Sequence, residues 1–251
     1  MWLLPSRRRP HNLARFFENA QAMEISTPGI IIIQREDFKD NQAAYEALPL
    51  PAGWSIIKTD ADRQGSKLRE IQDQYWNAEW IALIGDDQIL MTPKWDRMLL
   101  DEIKGWNIVS CNDGWTFHKR NGRIAGTIMM SGDLMRALGY IFIPGTEHIK
   151  IDDAYEKLGR ATGCWQIRQD ILIDHPHVVN KRAPADDTYA QAYESGTRDD
   201  VIYQRWEREG FGPDVEKIKA LMRSHGVEPH EHDVPIFIGP NTTVPEFNGQ
   251  I

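Results

Sequence analysis

The sequence predicts an α/β protein built on a mostly parallel central sheet flanked by helices, on three observations. Short apolar runs recur along the first third of the chain, segments with helical apolar spacing separate them, and one run, Trp80-Ile81-Ala82-Leu83-Ile84, breaks off into Gly85-Asp86-Asp87-Gln88. Strands buried on both faces read as continuous apolar runs, and their alternation with helices gives parallel strands joined by right-handed crossovers. In open sheets of this kind ligands bind beyond the carboxyl ends of the strands, which is where Asp86 and Asp87 fall.

Taken in order, Trp2 to Leu4 is a short first strand. Asn12 to Met23 carries Leu13, Phe16, Phe17 and Ala20 at helical spacing, with Asn12 as the expected N-cap. Gly29 to Ile33 is a second buried strand, residues 39–47 suit a short helix, Trp54 to Lys58 a third strand, and Gln64 to Trp76 a further helix that leads into the Trp80 strand. Past Asp87 the rhythm loosens. Trp106 to Cys111, Thr127 to Ser131 and Tyr140 to Ile143 read as strands, with a helix from about Ser131 to Leu138, and Gln166 to Asp174 as a late strand. Helical patterns follow over Asp187 to Glu209 and Asp214 to His225, and the stretch from Gly226 to Ile251, rich in Pro, Gly and polar residues, reads as a tail. The expected organisation is a catalytic domain over residues 1–185 with a helical extension and tail over 186–251.

At 251 residues the chain buries a substantial core, and 41% hydrophobic with 26% charged residues is an ordinary globular composition. A formal net charge of -8 offers no global attraction to nucleic acid or an anionic membrane, although Arg7, Arg8, Arg9 and Arg15 lie close together in sequence. Cys111 and Cys164 fit no CxxC pattern and read as reduced core residues of a cytoplasmic protein. Met1 to Leu4 is too short for a signal-peptide core, and no run approaches the ~20 apolar residues of a membrane span.

Four groups of residues carry chemistry. Asp86 and Asp87 supply hard oxygen ligands suited to Mg2+ or Mn2+, though a Gly-Asp turn after a core strand would leave the same trace. His175 and His177 follow the strand Ile171-Leu172-Ile173, and alternate residues of an extended chain face the same way, so both imidazoles can face one side. Asp152 and Asp153 open a helix-like segment, where acids also serve as N-cap and dipole partners. The loop Pro5-Ser6-Arg7-Arg8-Arg9-Pro10 follows the first strand, where arginines clamp phosphates or simply solvate a turn. Among the aromatics, Trp115, Phe117 and Tyr140 lie between the acid pairs in sequence and offer faces for stacking on a ligand ring; most of the nine tryptophans belong to the core.

The order of these features resembles the GT-A fold of nucleotide-sugar-dependent glycosyltransferases, particularly small family-2-like members found in bacteriophage genomes. The similarity covers about residues 1–210. It is carried by the first strand ending in Pro5-Ser6-Arg7, by Gly85 to Asp96, by the pair Asp152-Asp153, and by Asp174-His175-Pro176-His177 through Pro184 to Tyr189. The resemblance implies that Asp86-Asp87 is a DxD-type motif with Asp87 as metal ligand and Asp86 nearer the ribose or a metal-bound water. Gly85 stands where a full Asp-x-Asp has its first acid, which leaves the ribose contact open. It further implies that His175 or His177 completes the shell of Mn2+ or Mg2+, that Asp153, or else Asp152, is the base of an inverting transfer, and that Pro5, Ser6 and Arg7 with Arg63 and Lys67 line the nucleotide pocket. The expected donor is a UDP-sugar, and the expected acceptor a hydroxyl, with hydroxymethylated pyrimidine in phage DNA as the acceptor class the phage resemblance suggests, placing the protein in the host cytoplasm. Two other readings use the same residues: a metal-dependent phosphohydrolase or nuclease, and a non-catalytic nucleotide-sugar-binding module.

Overall fold

The computed structural model describes residues 1–114, 126–178, 181–184, 186–232 and 236–240. Among the described residues nine strands form one sheet: β1 (Trp2–Pro5), β2 (Gly29–Gln34), β3 (Trp54–Thr59), β4 (Trp80–Leu83), β5 (Ile89–Leu90), β6 (Ile108–Asn112), β7 (Ile128–Ser131), β8 (Trp165–Asp174) and β9 (Ile236–Ile238). The strand order is β3-β2-β1-β4-β7-β6-β8-β5, with β9 beside β8. Strands β3, β2, β1 and β4 run parallel, β7 is antiparallel to β4 and to β6, and β6 and β9 run parallel to β8. In β1, Trp2 sits opposite Gly29 on one side and Ala82 on the other, so the strand that leads into the arginine loop lies next to the strand that leads into Asp86.

Side chains alternate across this sheet as the pleat dictates. Leu3, Ile30, Ile32, Ile81 and Leu83 enter one core, shared with the helices α4 (Gln64–Ile71), α6 (Gly132–Leu138), α7 (Ile151–Thr162) and α9 (Phe211–Ser224). Trp2, Leu4, Ile31, Ile33, Ala82 and Ile84 enter the other, covered by α1 (Pro10–Ala22) and by α5 (Trp95–Leu100). Trp206 of α8 (Asp187–Glu209), with Val215, Ile218 and Met222 of α9, joins the first core, so the C-terminal helices pack on the same sheet.

Several boundaries differ from the sequence reading, each for a local reason. Helix α1 starts at Pro10, whose fixed φ and missing N–H suit the first helical position, rather than after Asn12. The helix expected over 39–47 is two, α2 (Arg35–Asp40) and α3 (Gln42–Glu46), broken at Asn41, whose amide reaches back to Asp37. The helix expected to run to Trp76 stops at Ile71 and tightens into a 3-10 turn over Gln72–Tyr75. Tyr140 to Ile143 is a loop, not a strand: its side chains are buried, but the Ile141 N–H donates to the Gln72 side chain and the Ile141 carbonyl accepts from the Tyr155 hydroxyl, so the ladder is replaced by side-chain partners. The tail contributes β9. Among the described residues no helix is long and apolar enough to cross a membrane.

Candidate active site

A cavity of about 590 Å³ opens at the carboxyl ends of β1 and β4. Chain geometry brings its acids there: the Ile84 N–H still pairs with Leu3, and then the Gly85 N–H turns to the buried Gln88 side chain, which releases Asp86 and Asp87 into the opening.

Asp86 is buried and accepts from the Ser6 hydroxyl at 2.5 Å and from Arg9 Nη1 at 3.3 Å. Burial and the neighbouring Asp87 charge push its carboxyl up to about 6, against the pull of Arg9 and Ser6. Asp87 behaves oppositely. Burial works against its charge, but His175, Arg9 and Tyr189 hold it well below the usual carboxylate range. His175 Nε2 lies 3.4 Å from Asp87 Oδ1, the Tyr189 hydroxyl donates to Asp87 Oδ2 at 2.9 Å, and Arg9 Nη1 sits 3.7 Å from that oxygen. Burial lowers the His175 imidazole while the Asp87 charge raises it, and the net shift is upward. Burial and the His175 charge lower His177, which packs edge-on against both His175 and Tyr189.

Arg9 is the hub of this arrangement. Its Nε and Nη2 form a two-point contact with Asp186 at 2.7 and 2.6 Å, its guanidinium lies 4.8 Å from the Tyr189 ring centre, and it faces both strand-end acids. Asp186 also caps α8 by accepting from the Thr188 and Tyr189 N–H groups, so the same carboxylate fixes the helix start and Arg9.

The opposite wall comes from the loop before α7. The Glu147, His148 and Ile149 N–H groups all donate to the buried carboxylate of Asp199 on α8, at 2.8, 2.8 and 2.9 Å. From below, Gly65 of α4 approaches so closely that a Cβ would stand 2.1 Å from the Thr146 carbonyl oxygen. This loop delivers His148 and Lys150 to the cavity, with Asp152 and Asp153 in the first turn of α7 beside them. Lys150 reaches Asp153 and Asp200 at 3.2 Å each. Burial lowers the His148 imidazole.

Of the residues expected from the sequence, Pro5, Ser6, Arg7, Lys67, Asp86, Asp87, Asp152, Asp153, His175 and His177 all line this one cavity. Arg7 is held by Asp62 at 3.0 Å, and Lys67 is fully buried and donates to the Ser6 carbonyl at 2.6 Å, steadying the arginine loop. Arg63 points elsewhere: it donates to the Gln191 carbonyl and the Ser195 hydroxyl of α8 and lies outside the cavity lining. Tyr140 is also absent from the lining, being buried with its hydroxyl on Asp214. Trp115 and Phe117 lie outside the described residues. The residues missed are Arg9, His148, Lys150 and Tyr189. Arg9 and Tyr189 sat inside segments the sequence singled out, whereas His148 and Lys150 had no local signal.

Among the described residues no cluster of three His, Cys, Asp or Glu side chains is arranged to hold a metal ion. The Asp87 carboxylate nevertheless is a hard oxygen donor of the kind Mg2+ and Mn2+ take, with the His175 imidazole 3.4 Å away as a nitrogen donor beside it; Mg2+ in particular is commonly held by one or two carboxylates and completes its shell with phosphate oxygens and water.

A central, mostly parallel sheet flanked by helices matches the GT-A glycosyltransferase fold. Among solved structures the chain is similar to mannosyltransferase PcManGT from Pyrobaculum calidifontis in complex with GDP-Man and Mn2+, at TM-score 0.53 and 9% identity over 90% of this chain and 74% of that one. It is also similar to glucosyl-3-phosphoglycerate synthase from Mycobacterium tuberculosis in complex with Mg2+ and UDP, at TM-score 0.51 and 11% identity over 94% of this chain and 86% of that one. No family model and no curated protein sequence matches.

Proposed function

We propose that this chain is a metal-dependent, inverting glycosyltransferase that moves a sugar from a nucleoside-diphosphate donor to a hydroxyl. The observation that carries this reading is the convergence on one cavity of two acid pairs from distant parts of the chain, Asp86-Asp87 beside Arg9 and His175, and Asp152-Asp153 at a helix start. The first pair lies at the sheet end where nucleotides bind in open α/β folds, and the second supplies carboxylates for proton removal. The complexes of the two structural neighbours, with GDP-Man and Mn2+ and with Mg2+ and UDP, support the same assignment.

Asp87 and His175 would hold the divalent cation, which offsets the charge that develops on the departing diphosphate. Ser6, Arg7, Lys67 and Asp86 would flank the nucleotide, and Arg9 adds a second positive charge beside the leaving group. The acceptor oxygen bonds to the anomeric carbon as that carbon's bond to the phosphate oxygen breaks. The electron pair leaves with the nucleoside diphosphate, and the acceptor proton passes to Asp153, the favoured base, or to its neighbour Asp152.

The test is a panel of UDP- and GDP-sugars with Mn2+, reading released nucleoside diphosphate and transferred sugar. Metal-dependent release of nucleoside diphosphate supports the assignment. Release of inorganic phosphate without sugar transfer supports the phosphohydrolase reading instead, and donor binding with no turnover supports a binding module.

A further inference from the structure

Resting on that reading, we propose that the acceptor is a neutral carbohydrate, its ring laid on Tyr193 and its attacking hydroxyl presented to Asp152 and Asp153. Tyr193 is a large side chain left 62% exposed, and it lines the cavity one helical turn beyond Tyr189 on α8. A ring of this kind at a cavity mouth offers an apolar face with a polar edge, which suits the CH face and hydroxyls of a sugar. Lys150 ties the two halves of this subsite together, since its ammonium contacts Asp153 of α7 and Asp200 of α8, the helix that carries Tyr193.

Charge decides against an anionic acceptor. Asp62, Asp86, Asp87, Asp152 and Asp153 outnumber the lysine and arginine side chains of the described lining. Each of those cations already has a partner inside the protein: Arg7 on Asp62, Arg9 on Asp186, Lys150 on Asp153 and Asp200, and Lys67 on the Ser6 carbonyl. A donor diphosphate brings its own divalent cation, but a second phosphate group would enter a carboxylate-lined space with no described cation left to receive it. For DNA the argument is that, in the arginine loop that would meet its backbone, Arg7 and Arg9 turn inward onto carboxylates and Arg8 is the arginine that stays exposed. The His148 imidazole, whose charged form burial disfavours, lines the same cavity and carries one donor and one acceptor for hydroxyls in its neutral form.

The experiment uses the full chain with Mn2+ and the donor that gives the fastest nucleoside diphosphate release. Methyl glycosides of glucose, galactose and mannose are compared as acceptors with the corresponding sugar 6-phosphates and with duplex DNA containing 5-hydroxymethylcytosine. At least one methyl glycoside is expected to raise release saturably above the rate of transfer to water, while the phosphates and the DNA leave it unchanged. In Tyr193→Ala the acceptor KM is expected to rise about 3- to 10-fold with donor KM unchanged, and Tyr193→Phe to stay near wild type. Saturation-transfer NMR of the same glycosides on the donor-free protein gives a readout independent of turnover. Donor turnover with no response to any glycoside, or with stimulation by a sugar phosphate or the DNA, overturns the neutral-acceptor inference while the glycosyltransferase reading stands. No binding or turnover of any donor overturns both.

Discussion

The Tyr189 hydroxyl donates to Asp87 Oδ2 at 2.9 Å, across 102 positions of sequence. The first turn of a C-terminal helix therefore touches the acid that ends a central strand. Together with the Arg9–Asp186 contact it makes the start of α8 one wall of the cavity, so the helical extension and the sheet line it jointly.

Asp87→Ala is expected to weaken Mn2+-dependent nucleoside-diphosphate binding by about 100-fold, at the upper end of effects seen around metal ligands. Asp87 lies beyond its strand, and Arg9 keeps Asp86 and Asp186 as partners, so the fold should persist. Calorimetric titration with UDP or GDP and Mn2+, alongside a thermal melt, checks both halves; unchanged affinity removes Asp87 from the site.

The two histidines should separate. His175 faces Asp87, whereas His177 packs against aromatic edges, so His175→Ala is expected to lose Mn2+ affinity steeply and His177→Ala only slightly. The His175 imidazole is held above the ordinary ~6.5 of histidine. It therefore keeps its proton to higher pH than an unperturbed imidazole, and a bound cation must displace that proton. Mn2+ affinity should accordingly fall as pH is lowered, with proton release on binding visible by running the titration in buffers of different ionisation enthalpy.

Asp153→Asn is expected to lower turnover by ~10²- to 10⁴-fold with donor affinity nearly unchanged, because a general base acts on the acceptor in the transition state. Asp152→Asn should cost less. Single-turnover rates with donor Kd measured in parallel decide the matter, and near-wild-type rates in both variants would remove the pair from the base role.

Lys67 gives a stability prediction with a definite sign. Burial pushes its ammonium down to about 8, against the pull of Asp62 and Asp37. The unfolded chain keeps that proton up to ~10.5, so between pH 8 and 10.5 the unfolded state binds more protons and stability rises with pH. Relative to Lys67→Met, the wild-type protein should gain about 3 kcal/mol across that window. Urea midpoints of both proteins at pH 7.5 and pH 10 measure the difference, and parallel pH profiles would contradict it.

What could be read from the sequence is what local chemistry marks. The apolar run Trp80 to Ile84 ending in Asp86-Asp87 announced both a buried strand and its acids, and the strand before His175 did the same for the imidazoles. The apolar loop Tyr140 to Ile143 misled because burial alone does not specify a ladder; its backbone found side-chain partners on Gln72 and Tyr155. Strand β9 was hidden in a segment whose composition says tail, since its pairing depends on β8 and not on its own pattern. Arg63 went astray because a helix start places a side chain by packing, and here the packing partner is α8. His148 and Lys150 left no trace, because a carboxylate far downstream in sequence shapes their loop.

That carboxylate sets a timetable. A ribosome emits this chain from its N-terminus, and the sheet strands that aim Asp86 and Asp87 emerge long before Asp199. Until α8 arrives, the Glu147, His148 and Ile149 N–H groups lack the acceptor that bends them into place. The acids at the end of β4 thus precede, in the order of synthesis, the carboxylate that shapes the opposing wall of the cavity.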